Sequence, residues 1–223
     1  MHFCGCAVVA MLVRSAKMTS LSIISDTHRK HRELTIPECD ILIHCGDFCS
    51  FQRNDEQTLE DVDEWFAEAP AKKIICIGGN HDFPLQNREF RFEHATMLED
   101  SLIEVNDISI YGSPWCPDLS GFAYYANEEE LIEKWKNIPS GVDVLITHTP
   151  PHGILDLPTS KSVHLGCPHL LHELERIKPR LHVFGHVHAS HGSYTKSGIS
   201  FINASIVGGQ DFEVRHNPTI ISL

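Results

Sequence analysis

Short apolar, β-branched runs alternate along this chain with stretches in which apolar residues recur every three or four positions. That alternation predicts strands interleaved with helices, an α/β protein. The strand-like runs fall at residues 21–25, 41–44, 73–77, 108–111, 142–147, 181–184, 200–202 and 219–223. Several are almost continuously apolar, as expected of strands covered on both faces. Three helices are predicted between them. Leu59, Val62, Trp65 and Phe66 form one apolar stripe, with Glu56, Glu60, Asp61, Asp63 and Glu64 supplying an acidic, solvated face. Asn127 can cap a second helix with Glu130 in the capping-box position, ahead of Leu131, Ile132, Trp135 and Ile138. Pro168 suits the first turn of a third, Leu170, Leu171, Leu174 and Ile177 give its buried stripe, and Pro179 stops it. The strand-rich second half implies more antiparallel pairing than a Rossmann fold carries.

At 223 residues the chain is read as one domain over residues 18–223, preceded by a dispensable extension at 1–17. Residues 3–13 are apolar but too few to cross a bilayer, and Arg14 and Lys17 follow the run, opposite to the order of a secretory signal. No membrane association is expected. The formal charge of −12 opposes stable binding to a nucleic-acid backbone. Eight cysteines show no disulfide framework, so they are read as free thiols in a cytoplasmic protein, with Cys45 and Cys76 as small buried hydrophobes.

Chemistry enters at five polar clusters, each directly after one of the apolar runs: Asp26-Thr27-His28, Gly46-Asp47, Gly79-Asn80-His81-Asp82, Thr147-His148 and Gly185-His186-Val187-His188. Each residue alone has an ordinary reading as a turn former, cap or surface histidine. Five ordered clusters at successive strand exits point instead to a dinuclear metal site. The donors are carboxylates, an amide and imidazoles without thiolates, which suits Mn²⁺, Fe, Zn²⁺ or Mg²⁺ better than a structural zinc, with manganese favoured. Two such ions about 3.5–4 Å apart can hold a phosphate ester and polarise the water that attacks it. Gly78-Gly79 is no P-loop, since the Gly-Lys-Ser/Thr ending is missing. Ser113 lacks the surroundings of a nucleophile elbow.

The order D-x-H, G-D, G-N-H-[DE], H, G-H-x-H resembles the calcineurin-like metallophosphoesterase superfamily. Residues 42–47, 110–115, 181–185 and 202–205 resemble its small metallophosphoesterase-domain-containing branch. The resemblance implies a four-layer αββα sandwich of two mixed sheets flanked by helices. It also implies a first metal on Asp26, His28, Asp47 and His188, and a second on Asn80, His148 and His186, with Asp47 bridging. His81 is implied as the general acid or transition-state stabiliser, with Asp82 as the carboxylate that orients it. Some vertebrate members of the branch carry glycine in place of the histidine at 186, which this chain keeps.

The implied activity is hydrolysis of a small phosphodiester, such as a cyclic nucleotide, by metal-activated water. The absence of arginine from the five clusters, Arg29 only following His28, agrees with a singly charged diester over a monoester dianion. Alternatives are a phosphomonoesterase or phosphoprotein phosphatase, a nuclease, or a weakly active metal-stabilised scaffold. Of the remaining histidines, His44 and His182 lie within strands as core or supporting groups, and His152, His164, His169 and His172 are read as solvated positions. Trp115, Phe122, Tyr124 and Tyr125 are read as core or lid packing in preference to stacking on a base.

Overall fold

The computed structural model describes residues 18–160, 162–209 and 211–223. The extension assigned to residues 1–17 lies outside them. The first half of the chain runs β1 (Ser20–Ile24), β2 (Cys39–His44), α1 (Glu56–Glu68), β3 (Ala71–Cys76), α2 (Phe83–Gln86), β4 (Thr96–Met97), β5 (Ser101–Val105) and β6 (Ile108–Ser113). The second half runs α3 (Glu128–Lys136), β7 (Val144–Thr147), α4 (Pro168–Ile177), β8 (Leu181–Phe184), β9 (Gly192–Lys196) and β10 (Ile199–Asn203). It closes with β11 (Val207–Gly208), β12 (Glu213–Val214) and β13 (Thr219–Ser222).

All eight apolar runs become strands, and they sort into two mixed sheets ordered β13-β1-β2-β3-β4 and β5-β6-β7-β8-β10-β9. Their continuous apolarity now has a cause. Leu21, Ile23, Ile41, Ile43, Ile75 and Ile77 point from the first sheet onto Ile110, Val144, Ile146 and Val183 of the second. The alternate residues Ile24, Leu42, Ile74 and Cys76 pack outward on Leu59, Val62 and Phe66 of α1. On the far side Leu145 and Phe184 meet Leu131 and Trp135 of α3 and Leu170 and Leu174 of α4. Every central strand is thus sandwiched, and the layers read α, β, β, α. The six cysteines among the described residues are free and buried.

The helix ends follow the sequence chemistry. Asn127 accepts from the Glu130 N–H at 3.0 Å while the Glu130 carboxylate accepts from the Asn127 N–H at 2.9 Å, a complete capping box. Lys178 adopts a left-handed conformation at the end of α4, and the chain turns away at Pro179. Strands β5 and β9 carry no continuous apolar run, because each lies at a sheet edge and its residues are largely half-buried or exposed. Their signal lies in the turns: Asn106-Asp107 and Ser197-Gly198 all have positive φ, as a two-residue hairpin of twisted strands requires.

Parallel pairing matters most for function. Ile24 pairs with His44 and His44 with Cys76, so β1, β2 and β3 end level and release their loops side by side. In the second sheet Ser113 pairs with Thr147 and Ile146 with Val183, which brings the exits of β7 and β8 together. The bridge between Ser25 and Ser205 joins the two sets of loops. Ligand sites of open α/β sheets form at such carboxyl ends.

Candidate metal centre

All five polar clusters converge at these exits. Asp26 and His28 can face one point only if the chain abandons its pleat, and it does so: Asp26 has φ +54°, His28 φ +38° and Arg29 φ +70°. Asp47 at φ +61° and His186 at φ +67° share the left-handed conformation. Side chains avoid this region, so its concentration here is strain held by surrounding bonds. Asp26 N–H donates to Gly46 O at 2.9 Å, His28 N–H to Asp47 O at 3.1 Å and Arg29 N–H to Phe48 O at 2.9 Å, which zips the first loop onto the second. Two glycines are required by close approach. A Cβ at Gly79 would collide with the Asp47 carboxylate and one at Gly185 with Ser25 and Asp26.

The donor atoms crowd together. His28 Nε2 lies 3.2 Å from His188 Nε2, and His188 Nε2 lies 3.3 Å from Asp26 Oδ1. On the other side Asn80 Oδ1 is 3.0 Å from His148 Nε2 and 2.8 Å from His186 Nδ1. Asp47 Oδ2 stands between the groups, 3.7 Å from His28 Nε2 and 3.3 Å from His148 Nε2. Ligands about 2.1 Å from a common ion sit roughly 3 Å apart, so these spacings are those of neighbouring ligands. Asp26, His28 and His188 form one set able to hold an ion, and Asp26, Asp47 and His148 another.

The remaining contacts aim the lone pairs inward. His28 Nδ1 is 2.7 Å from Cys49 O and His148 Nδ1 is 2.7 Å from Cys45 O. A carbonyl can only accept, so each Nδ1 carries a proton and each Nε2 is the nitrogen left facing the site, free to bind an ion once any proton on it is released. Asp47 Oδ1 accepts the His81 N–H at 2.8 Å, leaving Oδ2 to face the cluster. Asp26 accepts the His186 N–H at 3.0 Å, and Ser205 Oγ lies 2.8 Å from its Oδ2.

Electrostatics support a cationic guest. Asp26 and Asp47 are buried, and among the described residues no lysine or arginine pairs with either. Burial opposes their ionisation, yet His188 and His148 hold Asp26 well below the usual carboxylate range, and His148 and His81 do the same for Asp47. Burial works against the His148 cation too, but the adjacent Asp47 charge raises its pKa to about 9. Burial lowers His28 to about 4 and His186 to about 3, leaving both neutral. Imidazolium therefore neutralises carboxylates that divalent ions would neutralise better, with release of the proton.

Asp82 departs from the role expected of it. Its carboxylate does not orient His81; it accepts backbone N–H bonds from Asp47 at 2.8 Å, Phe48 at 3.0 Å, Cys49 at 3.0 Å and Gly79 at 2.8 Å. The physical reason is the convergence of two tight turns whose N–H groups all point at one buried position. Asp82 clamps the Asp47 loop to the Asn80 loop. Burial, then the charge of Asp47, pushes its pKa up to about 7, against the pull of those donors. Asp82→Asn turns an NH₂ toward two of the four N–H groups. The expected result is a stability loss of about 2–3 kcal/mol and divalent-ion affinity weakened roughly 10–100-fold, read by thermal melting and calorimetric titration. A carboxylate that only orients His81 would leave ion affinity unchanged.

The other expectations resolve individually. His44 and His182 are buried supports, His44 Nε2 being 3.0 Å from Thr27 Oγ1 and His182 Nε2 2.9 Å from Thr147 Oγ1. His164 pairs with Asp156 and His169 with Glu128. Ser113 Oγ donates to Asp100. Tyr124 is buried beneath Gly78 and Trp115 packs on Tyr124 and Lys134. Phe122 differs, reaching the His81 ring. Four residues at the centre lie outside the five polar clusters: Ser205, the phenylalanines Phe51 and Phe212, and Cys116, whose buried sulfur groups with His148 and His186.

Two stacked mixed sheets, with oxygen and imidazole donors on their strand exits around a central carboxylate, define a metallophosphoesterase domain. Residues 20–190 match the model of the calcineurin-like phosphoesterase family, and the chain belongs to that family. It is 34% identical over 217 residues to human metallophosphoesterase domain-containing protein 1, with 84% of this chain and 66% of the relative covered. It is 36% identical over 201 residues to the UPF0046 protein K07C11.7 of Caenorhabditis elegans, covering 82% of this chain and 68% of that one. The chain thus spans slightly less than two thirds of the human relative. The solved structure of GAP50, described as the anchor in the inner membrane complex of Plasmodium, shares the fold. Its TM-score is 0.51 at 9% identity, with 92% of this chain and 81% of that chain covered. Among the described residues no helix is long and apolar enough to cross a membrane.

Proposed function

We propose that this protein is a dinuclear metal-dependent phosphodiesterase acting on small phosphodiesters such as cyclic nucleotides. Asp26, His28, Asp47 and His188 would hold one ion, and Asp47, Asn80, His148 and His186 the other. The observation that carries the reading is the position of Asp47 Oδ2 between His28 and His148, with its partner oxygen tied to the His81 N–H. When bound, the ions supply a polarised water and positive charge for the phosphate. Manganese fits the oxygen and imidazole donors.

His81 stands beside this pair, its Nε2 3.9 Å from Asp47 Oδ2, nearly buried and edge-on to His28. Its imidazole is the group that reaches the scissile phosphate from outside the donor set and gives a proton to the leaving oxygen. Substrate charge supports the diester. Arg29 lines a groove with Gln57, Glu60, Asp61 and Glu64 that none of the seven donors borders, and Arg53 is bonded to Gly121 O. Neither gives the second positive grip that suits a monoester dianion. The net charge of −12 agrees with a small substrate over a nucleic acid, and free buried cysteines agree with a cytoplasmic setting.

The test uses methyl 4-nitrophenyl phosphate beside 4-nitrophenyl phosphate, which share a leaving group. The diester should show kcat/KM higher by roughly tenfold or more, about 1.4 kcal/mol in the barrier. A clear monoester preference would make this a phosphomonoesterase on the same metal centre.

A further inference from the structure

Isolated exposed apolar side chains are ordinary on a protein surface; three phenylalanines gathered around a charged site are not. Phe51 is 66% exposed and Phe122 38% exposed. Phe212 is half-buried. They come from three separate loops, yet each meets the histidines of the centre edge to face. Phe51 lies 4.8 Å from His81 between ring centroids at 89°, and Phe122 lies 5.5 Å from His81 at 82°. Phe212 lies 4.8 Å from His28 at 89° and 5.3 Å from His188 at 81°. Phe51 and Phe212 meet at 5.4 Å, so the rings form an arc over the solvent side of His81, His28 and His188.

The arc is built into the fold. Arg53 donates to Gly121 O at 2.9 Å and lies 4.6 Å over the Phe83 ring, which ties the Phe51 loop to the Phe122 loop. Ala123 N–H donates to Asn80 O at 3.0 Å and fastens the Phe122 loop to a residue of the donor set. Edge contacts with His81 and Phe212 still leave most of the Phe51 ring in water. A flat apolar ligand held against it would remove that surface from water and stack on its face.

We propose that Phe51, Phe122 and Phe212 form a subsite for a planar aromatic arm of the phosphoester. The subsite rests on the phosphodiester reading and extends it: the phosphate sits at the donor set while a ring attached through the ester oxygen that stays bonded to phosphorus lies against the phenylalanines. The shared chemistry is a flat π-system, whether aryl group or nucleobase. Stacking of a base on an aromatic side chain carries a loss of roughly 5–150-fold on removal, and no directional hydrogen bond is needed for it.

Selectivity is read as a ratio of kcat/KM within substrate pairs. The aryl pair is phenyl 4-nitrophenyl phosphate against methyl 4-nitrophenyl phosphate, and the base pair is 2′,3′-cyclic AMP against glycerol 1,2-cyclic phosphate. Wild-type protein should prefer the planar member of at least one pair by roughly tenfold or more, and Phe51→Ala and Phe212→Ala should each bring that ratio toward one. Phe51→Leu, which keeps apolar bulk without a π-face, should fall between. A fall confined to one pair assigns the arm to aryl or to nucleobase. Ratios unchanged in both alanine variants, with ellipticity and ion content equal to wild type, would overturn the subsite. Failure of the diester reading is seen separately, as faster turnover of 4-nitrophenyl phosphate than of its methyl diester; phenyl and methyl phosphate would then form the pair, with unchanged ratios again overturning the subsite.

Discussion

Asp47→Asn is expected to leave the protein with fewer than two bound divalent ions and to lower turnover by about three orders of magnitude. Asp47 has one oxygen fixed by the His81 N–H and the other placed between His28 and His148. An amide keeps the shape but removes the charge that both ions would share, and its NH₂ cannot bind a cation. If one ion leaves, the several kcal/mol of charge stabilisation that it supplies goes with it, which sets the scale of the loss. Ion content by elemental analysis, with turnover of methyl 4-nitrophenyl phosphate on the same sample, checks the prediction. Two tightly held ions with wild-type turnover in Asp47→Asn would remove Asp47 from the bridging position.

His81→Ala should behave in the opposite way, retaining both ions while losing roughly 10²–10⁴ in turnover. The ring reaches toward the same carboxylate from outside the seven donors, at 3.9 Å, and its backbone N–H bond to Asp47 does not depend on the side chain. The deficit should shrink as the leaving group becomes more acidic, because a good leaving group needs no proton. Comparing ethyl, phenyl and 4-nitrophenyl leaving groups measures this. An equal deficit across the series would make His81 a group that positions the phosphate and not a proton donor.

Much of the centre was legible in the sequence because the residues that face it lie at the ends of apolar strands, where a short polar cluster is conspicuous. Asp26, Asp47 and His186 announce themselves in this way, and the structure adds the left-handed turns that bring them together. The role of Asp82 was hidden, since its partners are the N–H groups of Asp47, Phe48, Cys49 and Gly79, and backbone donors carry no side-chain signature. Phe51 and Phe212 were hidden too: an apolar residue alone in a loop belongs to no periodic pattern, and only the folded chain sets both rings beside histidines distant in sequence. Strands β5 and β9 leave little apolar pattern in the sequence because hydrophobicity is weakest at sheet edges, and their trace is confined to the turn residues Asn106-Asp107 and Ser197-Gly198.

The account depends most directly on two divalent ions shared through Asp47. Protein stripped with chelator and titrated with Mn²⁺, with binding and hydrolysis of methyl 4-nitrophenyl phosphate followed in parallel, measures that dependence. The predicted result is two ions bound per chain, no turnover without metal, and turnover that rises mainly with the second equivalent. Saturation at one ion, or hydrolysis that survives complete removal of metal, would contradict it.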